Sequence, residues 1–528
     1  MSLPRPLSRR RFIAGVGAGA AGLAASPLLV GSLSAAATPR SGAPAPVPSG
    51  LFTLGVASGE PEPDGFVLWT RLAPDPLAGG GMPDRNVPVE WQVADDEGFR
   101  RIRASGRVDA GPRLAHSVHV EVRGLAPDRV YHYRFRAAGE LSPVGRTRTA
   151  PAAGANLRRL RFAFASCQDY QAGAYTAYQH LKDEDIAFVA FLGDYIYESK
   201  PNQSPRRHEG VDEPYSLLDY RNRHAQYKTD PDLQAVHAVV PWIVTLDDHE
   251  IDNNWAGDLP QDPHLQPAAK FRARRAAAFQ AYYEHMPLRR SSLPRGLDMH
   301  LYRRLRFGRL ASLHVLDTRQ YRSHQPGNLA EAEDPARTMT GATQERWLTQ
   351  GMSDRSATWN LLANQVMWAS NDRTAGPAQS FDFDNWDGYR VQRRRLLEFF
   401  GSGRTSNPVV LTGDRHATWV CDLRPDFDDP TTPVVSAELT CSSVTSGGDA
   451  NAATFHAQYD PIMAESPHWQ YIDNRRGYML CDVTPTDLTA SLRVVTTVWQ
   501  PTAAIETAAQ FRVEAGRPGV EVIDGGLW

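Results

Sequence analysis

Four apolar segments each run straight into residues able to bind a metal ion, and this pattern limits the fold more than any other feature. Leu160–Ser166 is followed by Cys167-Gln168-Asp169, and Ile186–Leu192 by Gly193-Asp194-Tyr195-Ile196-Tyr197. Pro241–Leu246 is followed by Asp247-Asp248-His249-Glu250, and Pro408–Leu411 by Thr412-Gly413-Asp414-Arg415-His416. Short apolar runs of this kind read as buried strands, and helical patterns between them point to an α/β domain. Ligands of such sheets bind outside the carboxyl ends of the strands, where the loops converge. Four chemically loaded loops at the same end of four strands therefore predict one shared site.

Further strands are expected at Leu310–Leu316 and Trp359–Val366. A long helix is expected over Pro267–His285, apolar on one stripe with arginines on the other. From about Val434 to Trp499 the pattern suggests β-hairpins. Residues 51–150 read as all-β: Phe66–Thr70 is apolar, while Val87–Val93, His116–Val122 and Val130–Phe135 alternate. The turn before Tyr131-His132-Tyr133 resembles the tyrosine corner of fibronectin III and immunoglobulin-like sandwiches. This gives an organisation of 1–37 signal, 38–50 Pro/Ala/Gly/Ser linker, 51–150 β-sandwich and 157–528 catalytic domain.

Ser8-Arg9-Arg10-Arg11-Phe12 followed by a Gly/Ala-rich apolar run and Ala35-Ala36-Ala37 reads as a twin-arginine export signal with an A-x-A cleavage site, rather than as a transmembrane anchor. The expected route is the twin-arginine translocase. The expected destination is secreted or cell-envelope, with no transmembrane anchor in the mature form. Cleavage after Ala37 removes Arg5, Arg9, Arg10 and Arg11 and no acid, which takes the net charge from -3 to -7. That balance gives no reason to expect a stable nucleic-acid complex.

Taken in order, Ser166-Cys167-Gln168, Gly193-Asp194-x-x-Tyr197, Asp247-Asp248-His249-Glu250, Asp317-Thr318-Arg319, Ala363-Asn364-Gln365 and Gly413-Asp414-x-His416 resemble the PhoD-type alkaline phosphatases. These belong among the calcineurin-like, purple-acid-phosphatase-like metallophosphoesterases. The resemblance implies a four-layer α/β sandwich of mixed sheets flanked by helices, preceded by an all-β fibronectin III or immunoglobulin-like domain. It also implies Cys167, Asp194, Tyr197 and His416 on one metal. A second metal would take Asp248, Asn364 and Asp414, with Asp194 bridging. Thiolate, phenolate and imidazole suit a transition metal, and a phenolate favours Fe(3+). The second, all-oxygen set suits a hard cation, Ca(2+) more than Mg(2+). Whether Asp247 is a ligand or a supporting acid stays open.

The mechanism implied is in-line attack on phosphorus by a metal-activated hydroxide or oxide. His249 would stabilise developing charge or protonate the leaving group, with Glu250 orienting it. The arginine gripping phosphate would come from Arg319, Arg415 or the pair Arg475-Arg476. Substrates would be small-molecule phosphate esters, with phospholipids included if the enzyme is phospholipase D-like. The main expectation is a phosphomonoesterase, also acting on diesters, that scavenges phosphate. The alternatives are a phospholipase D-like phosphodiesterase and a non-catalytic surface protein, the last disfavoured by the intact ligand set.

Several residues carry plainer expectations. Cys421, Cys441 and Cys481 offer a disulfide, Cys421–Cys441 or Cys441–Cys481. His180, His208, His224 and His237 read as solvated surface. Tyr195 reads as core. Phe381–Tyr389 is either a wall of the cleft or a surface turn.

Overall fold

In the computed structural model, which describes residues 46–525, the strands expected to meet at one site are the parallel centres of two facing sheets. Leu160–Ala165, Val189–Phe191 and Trp242–Val244 are adjacent and parallel within a ten-stranded sheet. Ala311–Val315, Trp359–Ala363, Pro408–Thr412 and Ser436–Thr440 are parallel neighbours in a seven-stranded sheet.

Alternation assigns the faces. Phe162 and Phe164 pack into a core shared with Leu313, Val315, Leu361 and Leu411 of the other sheet, so the two sheets stack directly. Ala163 and Ala165 point the other way, into a core with the helices Thr176–Leu181, Pro231–Val239 and Ala268–His285. The helices Gly341–Met352 and Arg390–Gly401 cover the outer face of the seven-stranded sheet, with Leu348, Met352, Leu396 and Leu397 packed on Leu362 and Val410. The order of layers is helix, sheet, sheet, helix.

The N-terminal strands do form a two-sheet sandwich, but one of its sheets is shared. Val56–Glu62, Gly65–Arg71 and Ser117–Val122 extend the ten-stranded sheet, joined through Gly59 and Trp242. Their inner face meets a separate sheet containing Val87–Ala94, Ile102–Ala110 and Val130–Ala137 across a core of Val89, Phe66, Leu68, Tyr133 and Phe135. The Tyr131 hydroxyl accepts a hydrogen bond from the Ala126 amide at 3.0 Å, which closes the expected corner.

Some expectations fail for identifiable reasons. The segment after Val434 is not all hairpins, because Ala452–Glu465 is a helix capped by Asn451. The arginines of Ala268–His285 are not all solvated. Arg274 is buried on Asp252 and the Tyr220 hydroxyl, and Arg275 on Asp258. His208, His224 and His237 are buried as well, for example with Tyr195 Oη 2.7 Å from His237 Nε2. All four cysteines are free and buried. Cys421 lies in the core beneath the outer helices, whereas Cys441 lies between the sheets, so the Cys421–Cys441 pairing is excluded by facing. Cys441 and Cys481 share a core but stay unbonded. No helix among the described residues is long and apolar enough to cross a membrane. The expected export signal lies outside the described residues.

Candidate metal centre

The strand-end loops meet because they hydrogen-bond to one another. The Cys167 amide donates to Gly193 O and the Gln168 amide to Asp194 O, both at 3.1 Å. Across the two sheets, the Val444 amide donates to Ser166 O at 3.0 Å, beside a bridge between Ser166 and Ser443. Two glycines permit the approach. A Cβ on Gly413 would lie 2.8 Å from Ser166 Cβ, and one on Gly193 would lie 2.4 Å from Asp247 Cβ.

The turns are strained at the positions that carry chemistry. Twelve non-glycine residues among those described have positive φ, and Cys167, Asp194, Asp414 and His416 are four of them. Left-handed backbone at such residues costs about 1–3 kcal/mol each and persists where the surroundings enforce it, commonly at functional sites.

Their side chains form three overlapping groups: Cys167 with Asp194 and His416, Asp194 with Asp248 and His249, and Asp247 with Asp248 and Asp414. Within each group one donor atom from every residue lies within 4.8 Å of the others. Tyr197 belongs to the first group, since its hydroxyl donates to Asp194 Oδ2 at 3.0 Å and lies 3.0 Å from His416 Nε2. Ser446 donates to the same hydroxyl at 2.8 Å.

The matching chemistry extends to known proteins. Residues 162–492 match the PhoD-like phosphatase family, and residues 36–151 match the N-terminal domain of PhoD-like phosphatases. Alkaline phosphatase D of Bacillus subtilis (strain 168) is 48% identical over 530 residues, covering 98% of this chain and 89% of the relative. The chain belongs to the PhoD-like phosphatase family. A solved structure of PhoD superposes with a TM-score of 0.87 at 48% identity, over 91% of this chain and 94% of that one. The protein is therefore a hydrolase acting on phosphoric esters, and the family's two-domain, mixed-sheet architecture is the one observed.

The donor set fits metal ions. Asp194 Oδ1 and Asp247 Oδ2 are buried without a hydrogen-bond partner, which is costly for a carboxylate unless a cation meets it. Burial, then the neighbouring acids Asp248 and Asp247, push the Asp194 carboxyl well above the usual range. Asp414 is raised by burial and by Asp247 and Asp248. Asp247 is pushed up to about 6, mainly by burial. The Cys167 thiol and the Tyr197 phenol are raised by burial and then by Asp194. A cation in the cluster reverses each of these effects.

Several expected residues have a different place. Glu250 does not orient His249; its two carboxylate oxygens accept from the amides of Tyr195 (2.6 Å) and Asp247 (2.8 Å), bracing two of the converging loops. Burial raises its carboxyl to about 8. His249 is held by Glu198, a residue not singled out from the sequence. Its Nδ1 donates to Glu198 Oε2 at 2.7 Å, and its ring stacks on Tyr197 with centroids 4.1 Å apart. Burial alone would lower the His249 pKa, but Glu198, Asp248 and Asp194 outweigh it and raise it well above the usual value. The missed signal was the acid directly after Tyr197.

Arg319 is fully buried among the acids, with Nε donating to Asp247 at 2.6 Å and Nη1 to Asp384 at 2.8 Å. Arg476 is also committed, donating to His416 O and Ser443 Oγ. Arg475 pairs with Asp473 and Glu506. Arg415 is the loosest, 3.6 Å from Asp382. The Phe381–Tyr389 segment is thus tied to the site twice, through Asp382 and Asp384. Asn364 is buried, its amide donating to Val366 O and to Thr412 Oγ1. Its Oδ1 has only a 3.4 Å contact from Trp386 Nε1, which leaves an oxygen able to accept a further partner.

Proposed function

We propose that this phosphoesterase is exported by the twin-arginine route and hydrolyses phosphate monoesters, and diesters alongside, with an Fe(3+) and Ca(2+) pair at the strand ends. The observation that carries the reading is the convergence of Cys167, Asp194, Tyr197 and His416 beside a second, all-acid group of Asp247, Asp248 and Asp414. The first set has the donors of a transition-metal site and the second those of a hard cation. Asp194 shares a group with Asp248, which also belongs to the all-acid set, so Asp194 would stand between the two metals. Asn364 would add an amide oxygen to the second metal. When bound, such a pair neutralises phosphoryl charge and activates water.

The chain's own residues supply the rest. Glu198 holds Nδ1 of His249, so Nε2 is the ring nitrogen left to give a proton to the departing oxygen. Asp248 is kept ionised against the pull of burial by Arg319 and His249, so it stays available as a ligand. Arg415 is the arginine whose fork can turn to a phosphoryl oxygen. Arg319 is already engaged by carboxylates and leaves that task to it.

The test is the ratio of turnover on a phosphate monoester and on the matching diester, with iron and calcium measured on the same sample. Hydrolysis of the monoester by iron- and calcium-loaded protein supports the reading. A diester-only enzyme favours the phospholipase D-like alternative, and full activity without either metal refutes the metal pair.

A further inference from the structure

Arg319, in Asp317-Thr318-Arg319, is one of the arginines considered for gripping phosphate, yet its guanidinium faces only acids. Nε and Nη1 bind Asp247 and Asp384, while Nη2 lies 3.5 Å from Asp248 and 4.0 Å from Asp414 with no hydrogen-bond partner. The main chain of the residue is held as well. Its amide donates to Asp317 Oδ1 at 3.1 Å, and its carbonyl accepts from the Gly257 amide at 3.0 Å. Asp384 is itself held by Arg322 at 2.7 Å and by Gln325.

We propose that Arg319 is a resident counter-cation of the carboxylate cluster, holding Asp247, Asp248 and Asp414 together before any metal ion is bound. Buried carboxylates this close repel one another and are costly to desolvate unless a cation is present. A guanidinium does not deprotonate in a protein, so it supplies that charge at every working pH. Its planar fork spans several acids at once, which one ammonium group does not. Nη2 faces Asp248 and Asp414 at 3.5 and 4.0 Å, so the charge of the one guanidinium reaches all three acids of the cluster. Arg319 is therefore a positioning residue that keeps the metal site assembled while empty. The inference rests on the proposed metal reading of this cluster.

The test is thermal unfolding of the full chain after exhaustive chelation and again with excess calcium, for the wild type, Arg319→Gln and Asp384→Asn. Arg319→Gln should lower Tm by about 5 °C or more in chelator. Calcium should recover most of that loss, so that the calcium-dependent shift is at least twice that of the wild type. Asp384→Asn, which loosens Arg319 without removing a proposed ligand, should widen the shift in the same direction by less. Equal losses with and without calcium would overturn the inference, since they mean that Arg319 is ordinary packing. If Arg319→Gln folds only with calcium, the inference holds; if it folds in neither condition, Asp384→Asn decides by the same criterion. A wild-type Tm that ignores both chelator and calcium overturns the metal reading itself, and this inference with it.

Discussion

Glu198 Oε2 lies 2.7 Å from His249 Nδ1, while the other oxygen of the same carboxylate accepts from the Asn253 amide at 2.8 Å. Glu198 thus fixes both the imidazole and the loop that follows it. Glu198→Gln should lower kcat by about 10- to 100-fold, the usual effect of removing a partner that orients a functional histidine, while iron and calcium content stay at the wild-type level. Steady-state kinetics with elemental analysis checks this. An unchanged kcat would contradict the orienting role assigned to Glu198.

Close approach of the loops makes a second prediction. Gly413→Ala places a methyl against Ser166, and Gly193→Ala places one against Asp247 at a backbone φ of +110°. Each should destabilise the protein by about 1–3 kcal/mol through overpacking and strain. Denaturant unfolding measures it, and Gly193→Ala should be the worse of the two because both penalties apply there.

The third prediction concerns pH. Lys228 is buried with its ammonium 4.4 Å from the Trp69 ring centroid, and burial lowers its pKa to about 7. Its unfolded value is about 10.4. Between these values the unfolded chain binds more protons, so this lysine makes stability rise with pH from about 7 to about 10, by up to ~1.4 kcal/mol per pH unit. Lys228→Met should flatten that part of the profile. Unfolding free energies at pH 7.5 and 9.5 for both proteins provide the comparison, and identical slopes would contradict the burial argument.

Much of the site was legible before any coordinates because strand ends carry their chemistry in contiguous runs. The loops at Cys167, Asp194, Asp248 and Asp414 come together as their positions after buried strands required. What escaped depends on directions that spacing does not encode. Glu198 and Glu250 are both acids next to site residues, yet one faces the imidazole and the other faces two backbone amides. Arg319 is as good a candidate for a phosphate clamp as Arg415 until Asp384 is seen across from it, sixty-odd residues along the chain. The three buried histidines were missed for a similar reason: a polar side chain reads as surface unless its buried partner is known. The shared sheet between the N-terminal strands and the catalytic core rests on one parallel contact, Gly59 with Trp242, which no local pattern reveals.

The cysteines give a fourth prediction. With all four thiols unpaired and Cys421 facing a different core from Cys441, protein denatured without reductant and stripped of metal should titrate four thiols per chain. Two thiols would mean that one of the expected disulfides forms after all.

The central claim is that two different metal ions sit at the strand ends, the first on Cys167, Asp194, Tyr197 and His416. Elemental analysis of iron and calcium per chain, on wild type and Tyr197→Phe purified in parallel, tests it most directly. The account predicts about one iron per wild-type chain together with calcium, and a Tyr197→Phe protein that loses most of its iron or the visible absorption of an iron phenolate. A fully active wild-type enzyme free of iron, or a variant with unchanged iron and colour, would contradict it.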